Sequence, residues 1–324
     1  MELPAALRQA VEQALEGTPL PDLRRAADLL SRRYRAETRD GRLHVGDDLA
    51  ARAYLATRLP ATYAAVRRSL AEFAEMRPGF SPASLLDVGA GPGTAFWAVS
   101  DEWPDVESAT LIEASGAMRK AGEGLAQAAR APISWRSLDV EGGLEDIDAA
   151  ELVTLCYVLD ELAPPVRDRL VDRLWSLTAD TLVIVEPGTP AGWQRIIAAR
   201  DRLLAAGAAI AAPCPHHAPC PLKAPDWCHF AQRVARSRLH RRAKGGEVPF
   251  EDEKFIYLAA CRHPLESPHA RVLASPRAAS GAVRLKLCRG DGTSGDELFT
   301  RRQGAAFKTA RRLGWGDAFH ENPD

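Results

Sequence analysis

The chain has 324 residues, 46% hydrophobic and 26% charged, ordinary values for a globular protein and enough for one large core with appendages. No apolar run approaches the ~18 residues that span a membrane, and Met1-Glu2-Leu3-Pro4-Ala5 carries an acid where a secretory or transit segment would carry cations; a cytoplasmic monomer without a membrane partner is expected. The net charge of -1 hides an asymmetry, because from His229 onward 18 Lys and Arg face 11 Asp and Glu, net +7, leaving -8 for the rest; this fits a polyanionic partner for the C-terminal third, or simple surface unevenness.

Residues 1–78 carry no strand signal and read as an N-terminal helical domain. Leu7, Val11 and Leu15 share one helical face, as do Leu23, Ala26, Leu29 and Leu30 ahead of the polar break Asp40-Gly41. A third helical stretch runs over 47–77, interrupted at Pro60. This domain is expected to stack on a sheet as a lid or partner surface, with Arg32, Arg33 and Arg35 on a solvated face.

From residue 79 to about 210 the pattern alternates strand and helix, as a mostly parallel α/β sheet requires. Strands are expected at 84–88, 109–113, 133–136, 152–156 and 181–186, with helices over 94–100, 115–130, 165–177 and 191–206. The first strand ends in Asp87-Val88-Gly89-Ala90-Gly91-Pro92-Gly93. Glycines at 89, 91 and 93 permit a tight turn that brings backbone amides against a ligand. The third glycine comes one residue too early for the dinucleotide fingerprint, and Asp87 at the strand end would repel a pyrophosphate. A ligand with an amine and a sulfonium suits it better. Glu113, ending the second strand, stands where a carboxylate would meet ribose hydroxyls. This pattern resembles the S-adenosylmethionine loop of class I methyltransferases, a Rossmann-like fold. The resemblance implies Asp87, Gly89, Gly91, Gly93 and Glu113 as cofactor residues. Asp139 past the third strand would accept from an adenine amine, and Tyr157 past the fourth would lie at the same cleft.

Tyr157-Val158-Leu159-Asp160-Glu161-Leu162 occupies the acceptor side. It is neither the Asn/Asp-Pro-Pro-aromatic tetrad of amino-group methylation nor a Pro-Cys nucleophile, and Cys156 reads as a buried strand residue. No catalytic side chain is assigned. Glu186-Pro187-Gly188-Thr189-Pro190 either joins the cleft or forms only a tight turn.

Residues 211–262 form a cysteine-rich insertion. Cys214, Cys220 and Cys228 lie in the proline-rich Cys214-Pro215-His216-His217-Ala218-Pro219-Cys220-Pro221 and Asp226-Trp227-Cys228-His229-Phe230. Such a loop cannot hold itself by apolar packing, so a metal is a natural organiser. Cys261, at the end of a strand-like run, offers a fourth ligand, whereas Cys288 reads as a plain strand residue. The irregular spacing suits an iron–sulfur site. Zinc, with His216, His217 or His229 as further ligands, and free thiols are the alternatives.

Taken in order, the glycine loop, the Tyr157–Leu162 and Glu186–Pro190 segments and the cysteine block resemble the methyltransferase-like family of small-ribosomal-subunit assembly factors, known from mitochondria and with bacterial members. The likeness runs from about Ala53 to Arg262. It implies a [4Fe–4S] cluster on Cys214, Cys220, Cys228 and Cys261, binding to small-subunit rRNA during maturation, and retained S-adenosylmethionine binding.

Arg233, Arg236, Arg238, Arg241, Arg242 and Lys244 fall within twelve residues that contain no acid, a density that suits phosphate contacts. Residues 263–324 should form a small basic β module with strands near 271–275, 282–289 and 297–302. Two roles follow for the whole chain, an rRNA methyltransferase or a non-catalytic rRNA-binding factor using the fold as scaffold. A small-molecule methyltransferase is the third.

Overall fold

A computed structural model describes residues 1–37 and 43–320; the expected break at Asp40-Gly41 lies outside them. Four helices come first, α1 (Ala5–Leu15), α2 (Leu20–Arg35), α3 (Asp48–Thr57) and α4 (Leu59–Met76). Leu7, Val11 and Leu15 are the buried face of α1, and Leu23, Ala27 and Leu30 that of α2. Asp47 caps α3 by accepting the Ala50 N–H at 2.8 Å. The stretch 47–77 divides at the proline, because Pro60 stands in the first turn of α4, where a missing N–H breaks no helical bond.

The chain then alternates through β1 (Ser84–Val88), α5 (Thr94–Glu102), β2 (Ser108–Ile112), α6 (Gly116–Ala126), β3 (Ile133–Arg136), β4 (Ala150–Cys156), α7 (Pro164–Leu177), β5 (Thr178–Pro187), α8 (Pro190–Ala205), β6 (Ala209–Ala212), β7 (Phe230–Ala235), α9 (Arg238–Lys244) and β8 (Phe250–Cys261). The sheet order is β3-β2-β1-β4-β5-β8-β6, with β7 also on β8. Strands β1 to β5 are parallel, and β8 runs against β5 from Thr181↔Cys261 to Pro187↔Phe255. β6 pairs with the last residues of β8 and β7 with its first half. The cysteine loop therefore leaves and rejoins the sheet on one strand. β7 escaped the sequence reading because its buried positions, Phe230 and Val234, alternate with cations that read as a charge run.

A second sheet comprises β9 (Ala270–Val272), β10 (Arg277–Ala279), β11 (Ala282–Arg289), β12 (Ser294–Thr300) and, after α10 (Ala305–Ala310), β13 (Ala318–Phe319). Its own core is Val272, Leu285, Phe299 and Phe319. The main core is continuous from Leu7 to Cys261, so the N-terminal helices share it with the large sheet.

Phe73 of α4 packs edge-on against Phe80 and Trp103, joining the helices to the sheet. Phe73→Ala should cost about 3–5 kcal/mol. A urea titration followed by circular dichroism should show the helices and the large sheet losing structure together at a lower midpoint, since among the described residues they share one core.

Candidate functional site

Open parallel sheets bind ligands beyond the carboxyl ends of their strands, where the strand order switches. Here that point lies between β1 and β4, and a cavity of about 670 Å³ opens there. Gly89, Gly91 and Gly93 all have positive φ. At Gly89, with φ +67°, a Cβ would also stand 2.3 Å from Val158 Cγ2, so no other residue fits the turn. Asp87 is 1% exposed. Its Oδ1 accepts from Thr154 Oγ1 at 2.7 Å, while Oδ2 has no partner among the described residues. Burial pushes its carboxyl up to about 7, against the Thr154 hydrogen bond. Glu113 accepts the Gly91 N–H at 2.8 Å and the Ser115 N–H at 2.7 Å, fixing the turn to the end of β2.

Asp139 lines the cavity from an exposed position and accepts the Glu141 N–H at 2.9 Å. Tyr157 also lines it and holds φ +60°, a sparsely populated conformation for a non-glycine residue. Its hydroxyl donates to Glu253 Oε1 at 3.2 Å, and Arg58 pairs with the same oxygen at 3.3 Å. Glu186 is turned away from the opening. It accepts the Leu159 N–H at 3.0 Å and pairs with buried Arg195 at 2.6 Å, so the acceptor-side turn is clamped from below. The sequence reading missed the far wall, where Tyr34, Tyr54 and Arg58 come from the helices and His44 stacks on Tyr34. Only the hydrophobic spacing of those helices was legible, not which polar residue would face the sheet.

The cysteines gather differently from expectation. Cys214, Cys220, Cys228 and Cys288 line one small cavity of about 30 Å³. Cys261 does not join them: it is buried at the end of β8 with its sulfur 3.4 Å from Thr181 Oγ1, its direct partner on β5. Strand pairing decides this, because β8 carries Cys261 into the sheet while β11 brings Cys288 over the loop, its sulfur 3.4 Å from His216 Nε2. All six cysteines are free thiols. Burial pushes the thiols of Cys214, Cys228 and Cys288 upward, Cys288 to about 12. Among the described residues no three His, Cys, Asp or Glu side chains are arranged to hold a metal ion as they stand. His217 accepts the Ile210 N–H at 3.1 Å and His229 stacks on Trp227, so both are engaged in the loop's own structure.

The basic run is partly neutralised by acids of β8 that its own sequence lacks. Arg233 pairs with Asp252 at 2.9 Å, and Arg236 and Lys244 pair with Glu251 at 2.7 and 3.1 Å. Arg238 and Arg242 are exposed and Arg241 half-buried, and no carboxylate among the described residues pairs with any of them.

The strand order, the antiparallel β8 beside β5, the glycine turn after β1 and the acid ending β2 together define a class I methyltransferase-like fold. Residues 48–320 match the family described as mitochondrial small ribosomal subunit Rsm22, and the chain belongs to that family. It is 30% identical over 298 residues to the human (Homo sapiens) ribosome assembly protein METTL17, mitochondrial, covering 82% of this chain and 61% of that protein. It is 25% identical over 326 residues to the Schizosaccharomyces pombe Rsm22-cox11 tandem protein 2, mitochondrial, covering 82% of this chain and 42% of that one. The chain thus spans less than two thirds of the length of these relatives. Magnesium protoporphyrin IX methyltransferase of Synechocystis PCC 6803 superposes at TM-score 0.43 and 13% identity over 72% of this chain and 94% of that one, too loosely to add to the strand order. No helix among the described residues is long and apolar enough to cross a membrane.

The raised Asp87 value makes a stability prediction. The folded chain holds this proton up to about pH 7, the unfolded chain only to about 4. The contribution of Asp87 to stability should therefore fall as pH rises from about 4 through 7 and then level. Asp87→Asn, which still accepts from Thr154 but cannot ionise, should remove on the order of 3 kcal/mol of that fall. Urea midpoints at pH 5 and 8 read the difference.

Proposed function

We propose that this chain binds S-adenosylmethionine and serves assembly of the small ribosomal subunit through contact with its rRNA. Membership of the Rsm22 family and likeness to a protein named for ribosome assembly support the partner. The observation that carries the ligand is Asp87 Oδ2, buried and without a described partner beside the glycine turn. An anion would be repelled there, whereas an ammonium satisfies the oxygen and draws the carboxyl into its ionised form. The site fits the cofactor: Asp87 would hold the amine, the remaining lone pairs of Glu113 the ribose hydroxyls, and Asp139 the adenine edge. S-adenosylmethionine when bound supplies an electrophilic methyl group; the chain's part is to seat it between the glycine turn and the Tyr34–His44 wall. The location proposed from the sequence is cytoplasmic.

In the catalytic version the methyl acceptor is an rRNA group entering past Tyr157 and Glu161, with positioning supplying most of the acceleration. One observation favours the scaffold version. The polar groups of the acceptor side are already engaged, Tyr157 and Arg58 with Glu253 and Glu186 with Arg195 and the Leu159 N–H. Labelled S-adenosylmethionine with immature small subunits from cells lacking the protein separates the two. Label in rRNA that disappears in Asp87→Ala establishes methyl transfer; cofactor binding lost in Asp87→Ala, with no label in either case, establishes the scaffold. Arg238, Arg241 and Arg242 are the proposed phosphate contacts, with Arg233, Arg236 and Lys244 available to RNA only by exchange of their carboxylate partners.

The four converging thiols are proposed to hold a [4Fe–4S] cluster, or zinc, with Cys288 replacing Cys261 as fourth ligand. The donor set fits: four free thiols share a cavity with no disulfide among them. Burial favours the protonated thiols of Cys214, Cys228 and Cys288 until a cation displaces the protons. Anaerobically purified protein should contain metal, with acid-labile sulfide if it is iron. Cys288→Ser should lower the metal per chain severalfold while Cys261→Ser leaves it unchanged, and the reverse result restores the expected ligand set.

A further inference from the structure

Two arginines are buried behind the thiol cavity. Arg200 of α8 and Arg271 of β9 are each only 1% exposed and rank among the largest fully buried side chains. Both grip the backbone of the cysteine loop. Arg200 Nη2 donates to His216 O at 2.9 Å and Ala218 O at 2.8 Å, between Cys214 and Cys220. Arg271 Nε donates to Pro213 O at 3.0 Å, beside Cys214, and its Nη1 to Gly316 O at 2.9 Å.

Their charges are not equally balanced. Arg271 meets buried Glu72, which also pairs with Arg68, itself paired with Asp317. That network holds two cations and two carboxylates. Among the described residues the carboxylate that meets Arg200 is Asp201, whose side chain is 62% exposed, at 3.2 Å. A solvated carboxylate on one side compensates little of a guanidinium buried on the other. Each arginine also keeps one buried N–H group without a described partner, Arg200 Nε and Arg271 Nη2. Arg271 itself lines the cavity.

Burying a guanidinium with a donor unused is costly, and two beside one cavity mark an anion as the missing partner. Four neutral thiols are weak acceptors and supply no charge. Four thiolates around zinc, or around a [4Fe–4S] core, leave a negative centre with sulfur lone pairs facing outward. We infer that Arg200 and Arg271 are the counter-charges of a thiolate centre at Cys214, Cys220, Cys228 and Cys288, positioning the loop through its carbonyls and donating their spare N–H groups towards sulfur. The inference rests on the four-thiolate reading proposed above. Arg200 carries the greater share, because Arg271 is balanced by Glu72.

The test compares Arg200→Lys with Arg200→Met in the full chain, purified anaerobically. Both variants lose the guanidinium, but the lysine keeps its charge and a flexible donor whereas the methionine loses both; Arg200→Gln, a neutral donor, separates the charge from the hydrogen bonds. Metal release to a chelator should be about 10- to 100-fold faster in Arg200→Met than in Arg200→Lys. If the metal is iron, the reduction potential should be lower in Arg200→Met, because a nearby cation favours the more negative, reduced state. Equal release rates and equal potentials in the two variants would overturn the inference and leave Arg200 a loop clasp. A native chain without metal fails the four-thiolate reading instead, so the two failures are distinguishable. Should Arg200→Met not fold, Arg200→Gln supplies the neutral member of the pair.

Discussion

The twelve residues of β8 are the constraint on which the rest of the molecule depends. One edge of this strand completes the parallel sheet against β5; the other carries β6 and β7 end to end. Its acids serve different neighbours even though Glu251 and Glu253, two residues apart, share one face of the strand. Glu251 settles the cations around α9, and Glu253 enters the cavity beside the glycine turn to hold Tyr157 and Arg58. Its apolar second half, buried from Phe255 to Cys261, is the floor on which the cysteine loop hangs. The cysteine loop and the basic helix thus both hang on the strand that completes the sheet beside β5.

Much of this was legible in the residues. The strands at 84–88 and 133–136 fall where the apolar runs put them, since parallel strands buried on both faces read as short β-rich blocks. The glycine turn was legible because few residues tolerate its backbone, and Asp87 because an acid in a buried strand end demands a reason. Less legible was anything decided by pairing between distant segments. The acids that neutralise Arg233, Arg236 and Lys244 come from the next strand, so the run looked uncompensated. Cys261 was expected beside the loop cysteines because it ends a strand-like run and fits the family resemblance, and Cys288 was read as a plain strand residue; strand pairing instead brings Cys288, not Cys261, to the cavity that Cys214, Cys220 and Cys228 line. Tyr34 and Arg58 carried no motif, only a place on helices whose contacts depend on tertiary packing.

The two sites use burial in opposite senses. At the glycine turn, burial leaves a carboxyl oxygen unsatisfied, which suits the proposed cationic ligand. At the thiol cavity, burial leaves guanidinium N–H groups unsatisfied, which suits the proposed anionic centre. Each site stores its preference as an uncompensated polar atom, which costs stability until the right partner arrives.

The placement of Cys288 also fixes where a bound centre would act thermodynamically. Cys214, Cys220 and Cys228 belong to a loop whose ends are already closed by β6 and β7 on β8, so linking them removes little chain entropy. Cys288 lies on the other sheet, beyond β8 and β9 in the chain, and a link to it closes a far longer loop. The stabilisation therefore falls less on the folding of either sheet than on their mutual registry, and slow separation of the two sheets is the motion such a centre would suppress.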